Sequence, residues 1–121
     1  MGQSRPNGPR PARELLFQRA QVGLMHFVYI LKSLKDNNLY TGCTCNLKKR
    51  IKAHNSGKVQ STQKRKPFHV VFFEEYETSI EARRRENFLK TYEGGKLKRQ
   101  LIASFPKDQL LQFKDAEPST N

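Results

Sequence analysis

Two tyrosines, an arginine, a histidine and a glutamate are spaced so that a small fold could bring them together. Tyr29 and Tyr40 lie eleven residues apart, Arg50 follows ten residues later, and His54 comes four residues after that. Glu86 lies much further along the sequence. Hydrolysis of a phosphodiester bond needs an activated water, a cation that offsets charge on the phosphoryl oxygens, and stabilisation of the leaving oxygen. Phenols, a guanidinium, an imidazole and a carboxylate that binds a divalent metal would together meet these needs.

Glu86 is the acidic residue that the helical pattern turns inward. It follows Ala82 by one turn and precedes Leu89 by three residues, which places its carboxylate on the apolar stripe of a helix. We expect it to be the metal ligand. The pattern is equally compatible with an ordinary exposed helical residue or with an ion-pair partner of Arg83 or Lys90.

The two tyrosines are by default core aromatics whose hydroxyl groups find hydrogen bonds. A phenol has an ordinary pKa near 10 and becomes a general base only when neighbouring cations lower that pKa. Lys48, Arg50 and a bound metal are available for this, and the planar guanidinium of Arg50 could also brace the transition state. Tyr29 and Tyr40, taken together with the other three residues, favour the functional interpretation.

Cys43 and Cys45 are too close for an ordinary disulfide in an extended segment, so we expect reduced thiols. The two thiols and His54 could be imagined as zinc ligands. The sequence lacks the second pair of ligands that such sites have, which favours small packing residues beside a turn.

The elements that must position these side chains begin with a hairpin and a helix. The continuous apolar segment Phe27–Leu31 is typical of a strand covered on both faces. Turn residues follow it, and a second strand is predicted over Leu39–Thr41. A helix is predicted over residues 46–55, with Thr44 or Asn46 as its N-cap.

A third strand is predicted over Phe68–Tyr76, and a capping-box pattern at Thr78–Glu81 opens a second helix that runs to Thr91. Glu93–Gly95 should break this helix, and Lys96–Phe105 should form a third one. The predicted fold is a compact α/β (α+β) domain, with a small, mainly antiparallel three-stranded sheet flanked by helices.

The ends of the chain are predicted to lie outside the domain, which we place at residues 25–105. Residues 1–24 are rich in Pro, Gly, Arg and Gln and should form a flexible basic extension. Residues 106–121 should form a polar tail that docks weakly or frays.

The formal net charge is +12, from 23 Lys and Arg against 11 Asp and Glu, which indicates a polyanionic partner. No acidic residue occurs between Asp36 and Glu74. The candidate nucleic-acid-binding cations in this stretch are Lys48, Lys49, Lys52, Lys58, Lys64, Arg65 and Lys66. The alternative is a solvated helix face followed by a disordered loop. Without a groove-reading helix motif, we expect recognition of shape or backbone rather than sequence.

No window approaches the ~20 apolar residues of a membrane span, and the N-terminus lacks the apolar region of a secretory signal. We therefore expect a soluble cytoplasmic protein.

The sequence resembles the GIY-YIG nuclease family, in particular its small stand-alone bacterial members. In that family a tyrosine lies on the first strand, a second motif ends in Tyr-x-Gly, and an arginine on the next helix precedes a tyrosine or histidine by one turn. A glutamate on the second helix binds the metal. The matching positions are Val28–Ile30, Tyr40–Gly42, Arg50, His54 and Glu86, within a similarity that extends over residues 26–102.

This resemblance implies hydrolysis of DNA with one divalent metal, Mg²⁺ or Mn²⁺, and a transition state held by Arg50. It implies that Tyr29 is a general base or base relay, that Tyr40 is its hydrogen-bonded partner and positions the water, and that His54 assists. Either phenol could take the proton. Cys43 occupies the position of a lysine found in some family nucleases.

The predicted function is that of a metal-dependent endonuclease acting on DNA, with branched, nicked or single-stranded forms as candidate substrates, in repair or recombination. The alternative is a nucleic-acid-binding module that keeps the fold without efficient cleavage. A third interpretation is a basic scaffold for a larger protein or the ribosome, and the inward-facing Glu86 argues against it.

Overall fold

The computed structural model describes residues 25–118, so the predicted N-terminal extension lies outside the described residues. The elements in chain order are β1 (His26–Ser33), β2 (Leu39–Thr44), α1 (Leu47–Asn55), β3 (Phe68–Tyr76), α2 (Ser79–Leu89), α3 (Tyr92–Ser104) and a C-terminal 3₁₀ helix (Lys107–Ala116). No helix among residues 25–118 is long and apolar enough to cross a bilayer.

The sheet is antiparallel throughout, and its strand order is β2-β1-β3. β1 and β2 form the predicted hairpin, in which Asn37 adopts a positive φ of 62° and the Asp36 carboxylate accepts a hydrogen bond from the Asn38 backbone. Asparagine is one of the few residues that tolerate this conformation. The predicted fold class, a three-stranded antiparallel sheet with flanking helices, is confirmed.

Both faces of β1 are covered, as its continuous apolar sequence predicts. One face belongs to the main core, which includes Phe27, Tyr29 and Leu31 and extends to α1 and the 3₁₀ helix. The other face carries Val28, which packs with α2. Because β1 is central and buried, a side chain on either face is held rigidly in position.

The first two helices begin at predicted caps. The Asn46 side chain accepts a hydrogen bond from the Lys49 backbone N–H at the start of α1. Thr78 does the same for the Glu81 N–H at the start of α2. Each cap satisfies a backbone donor that has no partner within its helix.

The predicted helix break at Glu93–Gly95 is wrong, because α2 ends at Leu89 and both glycines lie inside α3. The Thr91 side chain caps α3 by accepting a hydrogen bond from the Gly94 N–H. A Cβ at Gly94 would collide with the Phe88 carbonyl. This glycine is therefore needed for the close approach of two consecutive helices, a tertiary requirement that looks like a helix breaker in the sequence.

The segment after Pro106 lies against the core, in contrast to the weak docking that its polarity predicts. Phe113 and Ala116 are buried in the main core. The Asn55 side chain donates a hydrogen bond to the Ala116 carbonyl at 3.0 Å, and the Glu117 carboxylate accepts one from the Val70 N–H. Two buried side chains and two long-range hydrogen bonds hold this segment on α1 and β3.

Candidate active site

A cleft of about 300 Å³ crosses the open edge of the sheet at β2. Side chains alternate between the two faces of a strand. Tyr40 and Gly42 therefore face α1, whereas Cys43 faces α2. The cleft is lined by Tyr29, Tyr40, Gly42, Cys43, Arg50, Arg83, Glu86, Asn87 and Lys90. Four of the five predicted catalytic residues are among them, and the fifth, His54, lies behind the wall that the tyrosines form.

Gly42 allows the Tyr29 hydroxyl to reach this cleft. The two residues are directly paired across β1 and β2. A Cβ at Gly42 would lie 2.6 Å from the Tyr29 hydroxyl oxygen and 2.8 Å from Cζ. No side chain fits at that position, so the phenol passes over the backbone of the edge strand.

Tyr29 and His54 form a buried pair. Both are fully buried, and the Tyr29 hydroxyl lies 2.9 Å from His54 Nε2. The other ring nitrogen, Nδ1, lies 2.8 Å from the Thr62 hydroxyl. The Tyr40 ring packs edge-on against the imidazole, with 4.9 Å between ring centroids. The Phe68 ring packs edge-on against it as well, at 5.7 Å between centroids, so two hydrogen bonds and several aromatic contacts hold His54 in place.

The expectation that neighbouring cations lower the phenol pKa does not hold for Tyr29. Burial raises the pKa of Tyr29 to about 12, and this outweighs the lowering effect of its contact with Arg50. Burial and the positive charge of Arg50 together lower the pKa of His54 to about 4. At neutral pH the pair is therefore an un-ionised phenol next to an un-ionised imidazole.

Arg50 projects from α1 into the same part of the cleft. Its contact with Tyr29 raises the pKa of its guanidinium, which stays fully charged. Its Nε is buried and has no hydrogen-bond partner among the described residues. A buried donor without a partner is uncommon in native structures. Arg50 therefore has hydrogen-bonding capacity that the fold itself does not use.

Glu86 enters the cleft from α2, on the opposite side. Its Oε1 accepts a hydrogen bond from the Cys43 thiol at 3.1 Å, and its Oε2 accepts one from Lys90 Nζ at 2.8 Å. Arg83 Nε lies 3.7 Å from Oε1. Burial alone would raise the pKa of Glu86, but the hydrogen bonds from Lys90 and Cys43 and the two cations give a net lowering. Glu86 thus faces the cleft and also forms the ion pairs that its helical spacing suggests.

A family model described as the GIY-YIG catalytic domain matches residues 25–98. The matched segment is more than half of the 121 residues and contains every residue that lines the cleft. The chain belongs to the GIY-YIG nuclease family. This confirms the membership that the tyrosine motifs and Glu86 predict.

Bacterial relatives of this GIY-YIG protein are similar along most of their own length. A UPF0213 protein of Clostridium perfringens is 49% identical over 81 residues, which are 66% of this chain and 85% of the relative. A UPF0213 protein of Staphylococcus haemolyticus is 47% identical over 68 residues, 55% of this chain and 82% of the relative. Their names state no activity. No solved structure matches the sequence significantly.

Glu86 is the group through which this GIY-YIG domain could hold a metal ion. Residues 25–118 contain no cluster of three or more His, Cys, Asp and Glu side chains suited to a metal. Mg²⁺ is commonly bound by one or two carboxylates and completes its shell with waters and substrate phosphate oxygens. A single partly buried carboxylate beside a cleft fits such an ion. Both ring nitrogens of His54 contact Tyr29 and Thr62. His54 is therefore not placed to share a zinc ion with Cys43 and Cys45.

The predicted nucleic-acid-binding cations of the GIY-YIG domain lie on α1 and in the loop that follows it, and none of them lines the cleft. All but Arg65 are exposed. Lys48 pairs with Asp115 at 3.1 Å, and Arg65 forms a two-pronged bond with Asp36 at 2.7 and 3.3 Å. The other five predicted cations are Lys49, Lys52, Lys58, Lys64 and Lys66. Arg65 is thus engaged in holding the fold.

Other residues in or near the cleft of the GIY-YIG domain are not singled out by the sequence as parts of the site. Arg83 and Lys90 lie three and four residues from Glu86, so helical spacing identifies them as its ion-pair partners but not as walls of a cleft. Thr62 comes from a polar loop with no periodic pattern. Lys98 of α3 donates a hydrogen bond to the Thr41 hydroxyl, and burial and the charge of Lys90 lower its pKa.

Proposed function

We propose that this protein is a metal-dependent endonuclease that hydrolyses DNA phosphodiester bonds. The observation that carries the proposal is the convergence of Tyr29, Tyr40, Arg50 and Glu86 on one cleft. These residues come from two strands and two helices, β1, β2, α1 and α2, and Glu86 is far from the others in the sequence. A purely structural role would not require their polar groups to meet at an open edge of the sheet.

Arg50 would bind the phosphate at which the bond is cut. Its guanidinium carries a permanent charge, and its Nε lacks a partner within residues 25–118. A guanidinium presents planar donors that match phosphoryl oxygens, and its charge offsets the negative charge that develops in the transition state. Glu86, across the cleft, would hold Mg²⁺ or Mn²⁺. When bound, the metal supplies charge stabilisation for the phosphoryl and leaving oxygens.

Tyr29 would orient the attacking water. A phenol with a pKa of about 12 is not ionised at neutral pH, so a resident tyrosinate is not the base. An un-ionised phenol can accept a hydrogen bond from the attacking water while its own hydrogen is bound by His54. With a pKa of about 4, His54 orients the phenol and is a weak final acceptor for the proton. Tyr40, whose ring centroid lies 6.3 Å from that of Tyr29, would position the same water from the cleft wall.

The substrate would be held mainly through its backbone. The net charge of +12 and the exposed lysines of α1 and the following loop favour phosphate contacts, which carry no sequence information. We therefore propose structure- or backbone-directed cleavage of branched, nicked or single-stranded DNA. We place this activity in the cytoplasm, during repair or recombination.

Cleavage of labelled duplex, flap and single-stranded DNA in Mg²⁺ or Mn²⁺ tests the proposal. Glu86→Gln and Tyr29→Phe should each lower the cleavage rate by about 10²-fold or more, because each removes a group that acts on the reacting atoms. Glu93→Gln and Tyr92→Phe are matched controls, since both residues are exposed on α3 and outside the cleft. Cutting that survives the first two substitutions would contradict the proposed site.

One observation favours a second candidate, a DNA-binding module with weak cleavage. The Glu86 carboxylate is already bonded to Cys43 and Lys90, and these partners compete with a metal ion. DNA binding by the wild type without cleavage of any substrate, in either metal, would establish this second function.

A further inference from the structure

We propose that Thr62 is a positioning residue that acts on Tyr29 through His54. The effect of Thr62 on catalysis rests on the proposed nuclease function, whereas its effect on the protonation of the His54 ring does not. Thr62 lies in the loop between α1 and β3, 22 residues beyond Tyr40 in the sequence, and it lines no part of the cleft. Its side chain is fully buried.

The contacts of Thr62 favour one position for the proton of the His54 imidazole. The Thr62 hydroxyl donates to the Val59 carbonyl at 3.4 Å and lies 2.8 Å from His54 Nδ1. A hydroxyl has one hydrogen to donate. We assign that hydrogen to the Val59 carbonyl, which can only accept, so that the hydroxyl oxygen accepts a hydrogen bond from His54 Nδ1–H. The neutral imidazole then has an unprotonated Nε2. This tautomer also suits the contact of the Tyr29 oxygen with Arg50, which can only donate.

An unprotonated Nε2 fixes the direction of the Tyr29 hydroxyl. Nε2 accepts the Tyr29 hydrogen at 2.9 Å, so that hydrogen points into the core and the phenol oxygen presents its lone pairs toward Arg50 and the cleft. This is the orientation in which the phenol oxygen accepts a hydrogen bond from the attacking water. In the opposite tautomer, Nε2–H would donate to the phenol oxygen and turn the phenol hydrogen toward the cleft. The phenol would then donate a hydrogen bond to the water instead of accepting one from it.

The loop that carries Thr62 is anchored so that its position is fixed. The Thr62 carbonyl accepts a hydrogen bond from the Arg65 N–H at 2.9 Å. The Arg65 carbonyl in turn accepts one from the Ser33 hydroxyl at 2.6 Å, and the Arg65 side chain binds Asp36. The turn between β1 and β2 thus holds the loop, which gives Arg65 a role in site geometry beside its predicted role in DNA contact.

The first measurement is the tautomer of His54, read from the ¹⁵N shifts and proton couplings of its ring nitrogens by NMR. This measurement needs no nuclease activity. The wild type should show a protonated Nδ1 and an unprotonated Nε2. Thr62→Ser keeps the hydroxyl and should retain this tautomer, whereas the nearly isosteric Thr62→Val should lose it. Ser61→Ala changes an exposed neighbour and should leave the ring signals unchanged.

The second measurement is the steady-state kinetics of DNA cleavage by the same variants. Thr62→Val should lower kcat by about 10-fold to 100-fold, the usual effect of removing a group that orients a functional residue. KM should change little, because Thr62 does not contact the substrate. Thr62→Ser should restore most of kcat, which a loss of packing at this position would not explain.

The outcomes separate this inference from the nuclease proposal. A wild-type His54 protonated on Nε2 overturns the inference even if Thr62→Val fails to fold, and so does cleavage by Thr62→Val at the wild-type kcat. If the wild type cuts no DNA, the nuclease proposal fails; the tautomer in wild type and Thr62→Ser then still decides whether Thr62 orients His54.

Discussion

The two walls of the cleft are built differently. The wall on the α1 side is formed by Tyr29, Tyr40 and Arg50. Tyr29 is fully buried and is joined to His54 behind it, and His54 to Thr62, by hydrogen bonds between neutral groups. The wall on the α2 side presents Glu86, which is held by the exposed side chains of Arg83 (68% exposed) and Lys90 (49% exposed). One wall is part of the core, and the other is a set of ion pairs near the surface.

This difference separates a preformed part of the site from an adjustable one. Buried hydrogen bonds between neutral groups do not respond to salt, and the main core holds the α1-side residues in single positions. Exposed ion pairs contribute little stability and are screened by ions. A phosphate or a metal ion can therefore displace the partners of Glu86 at low cost, whereas the Tyr29–His54 pair should stay in place when substrate binds.

The largest expected effect is the pH dependence of stability that comes from His54. Its pKa is about 4 in the folded protein, against an ordinary value of 6.5. The unfolded chain therefore binds more protons between these values, and this contribution to stability is present above pH 6.5 and lost as the pH falls through the window to 4. The free energy of unfolding should drop by roughly 3 kcal/mol between pH 7 and pH 4 from this group alone.

Urea unfolding across this pH range measures the effect, and His54→Gln is the variant that removes it. The variant should be less stable than the wild type at pH 7 and should show a flatter pH dependence above pH 5. If the free energy of unfolding changes equally with pH in the two proteins, His54 is not buried in its neutral form. The α1-side wall would then not differ from the α2-side wall in being backed by neutral, buried groups.

A somewhat smaller effect is expected at Gly42, where the α1-side wall meets the edge strand. In Gly42→Ala the new Cβ would lie 2.6 Å from the Tyr29 hydroxyl, so the phenol must move. Displacement of a reacting group by about 1 Å costs about 10²-fold in rate. We expect a loss of that size in kcat for DNA cleavage, together with weaker hydrogen bonding between Tyr29 and His54.

Gly95→Ala is the matched control, because nothing lies within 4 Å of a Cβ at Gly95 in α3. Replacing an internal helical glycine with alanine should raise stability by up to ~1 kcal/mol, without any change in kcat. If Gly42→Ala is as active as Gly95→Ala, Tyr29 can move without loss of activity. The α1-side wall would then be as adjustable as the α2-side wall.

The sequence predicts the strands and helix starts of the fold better than it predicts the protonation of the α1-side wall. Alternating and continuous apolar patterns identify β1 and its hairpin, and caps identify the starts of α1 and α2, because these features are local. The raised pKa of Tyr29 depends on burial by residues distant in the sequence. The role of Gly94 depends on how two consecutive helices pack against each other. Such effects arise only when the chain is packed, so no local pattern reports them.

The smallest expected effect concerns Lys90 and tests whether the α2-side wall is adjustable. Lys90→Gln removes the cation that binds Glu86 Oε2 and keeps a side chain of similar length. Because an exposed ion pair is worth about 0.2–1 kcal/mol, the Kd for Mn²⁺ measured by electron paramagnetic resonance without DNA should fall by up to about fivefold.

Lys96→Gln is the control; it alters a lysine stacked on Tyr92 and should leave the Kd for Mn²⁺ unchanged. If Lys90→Gln binds Mn²⁺ more weakly than the wild type, Lys90 does not compete with the metal, and the two walls would be equally preformed.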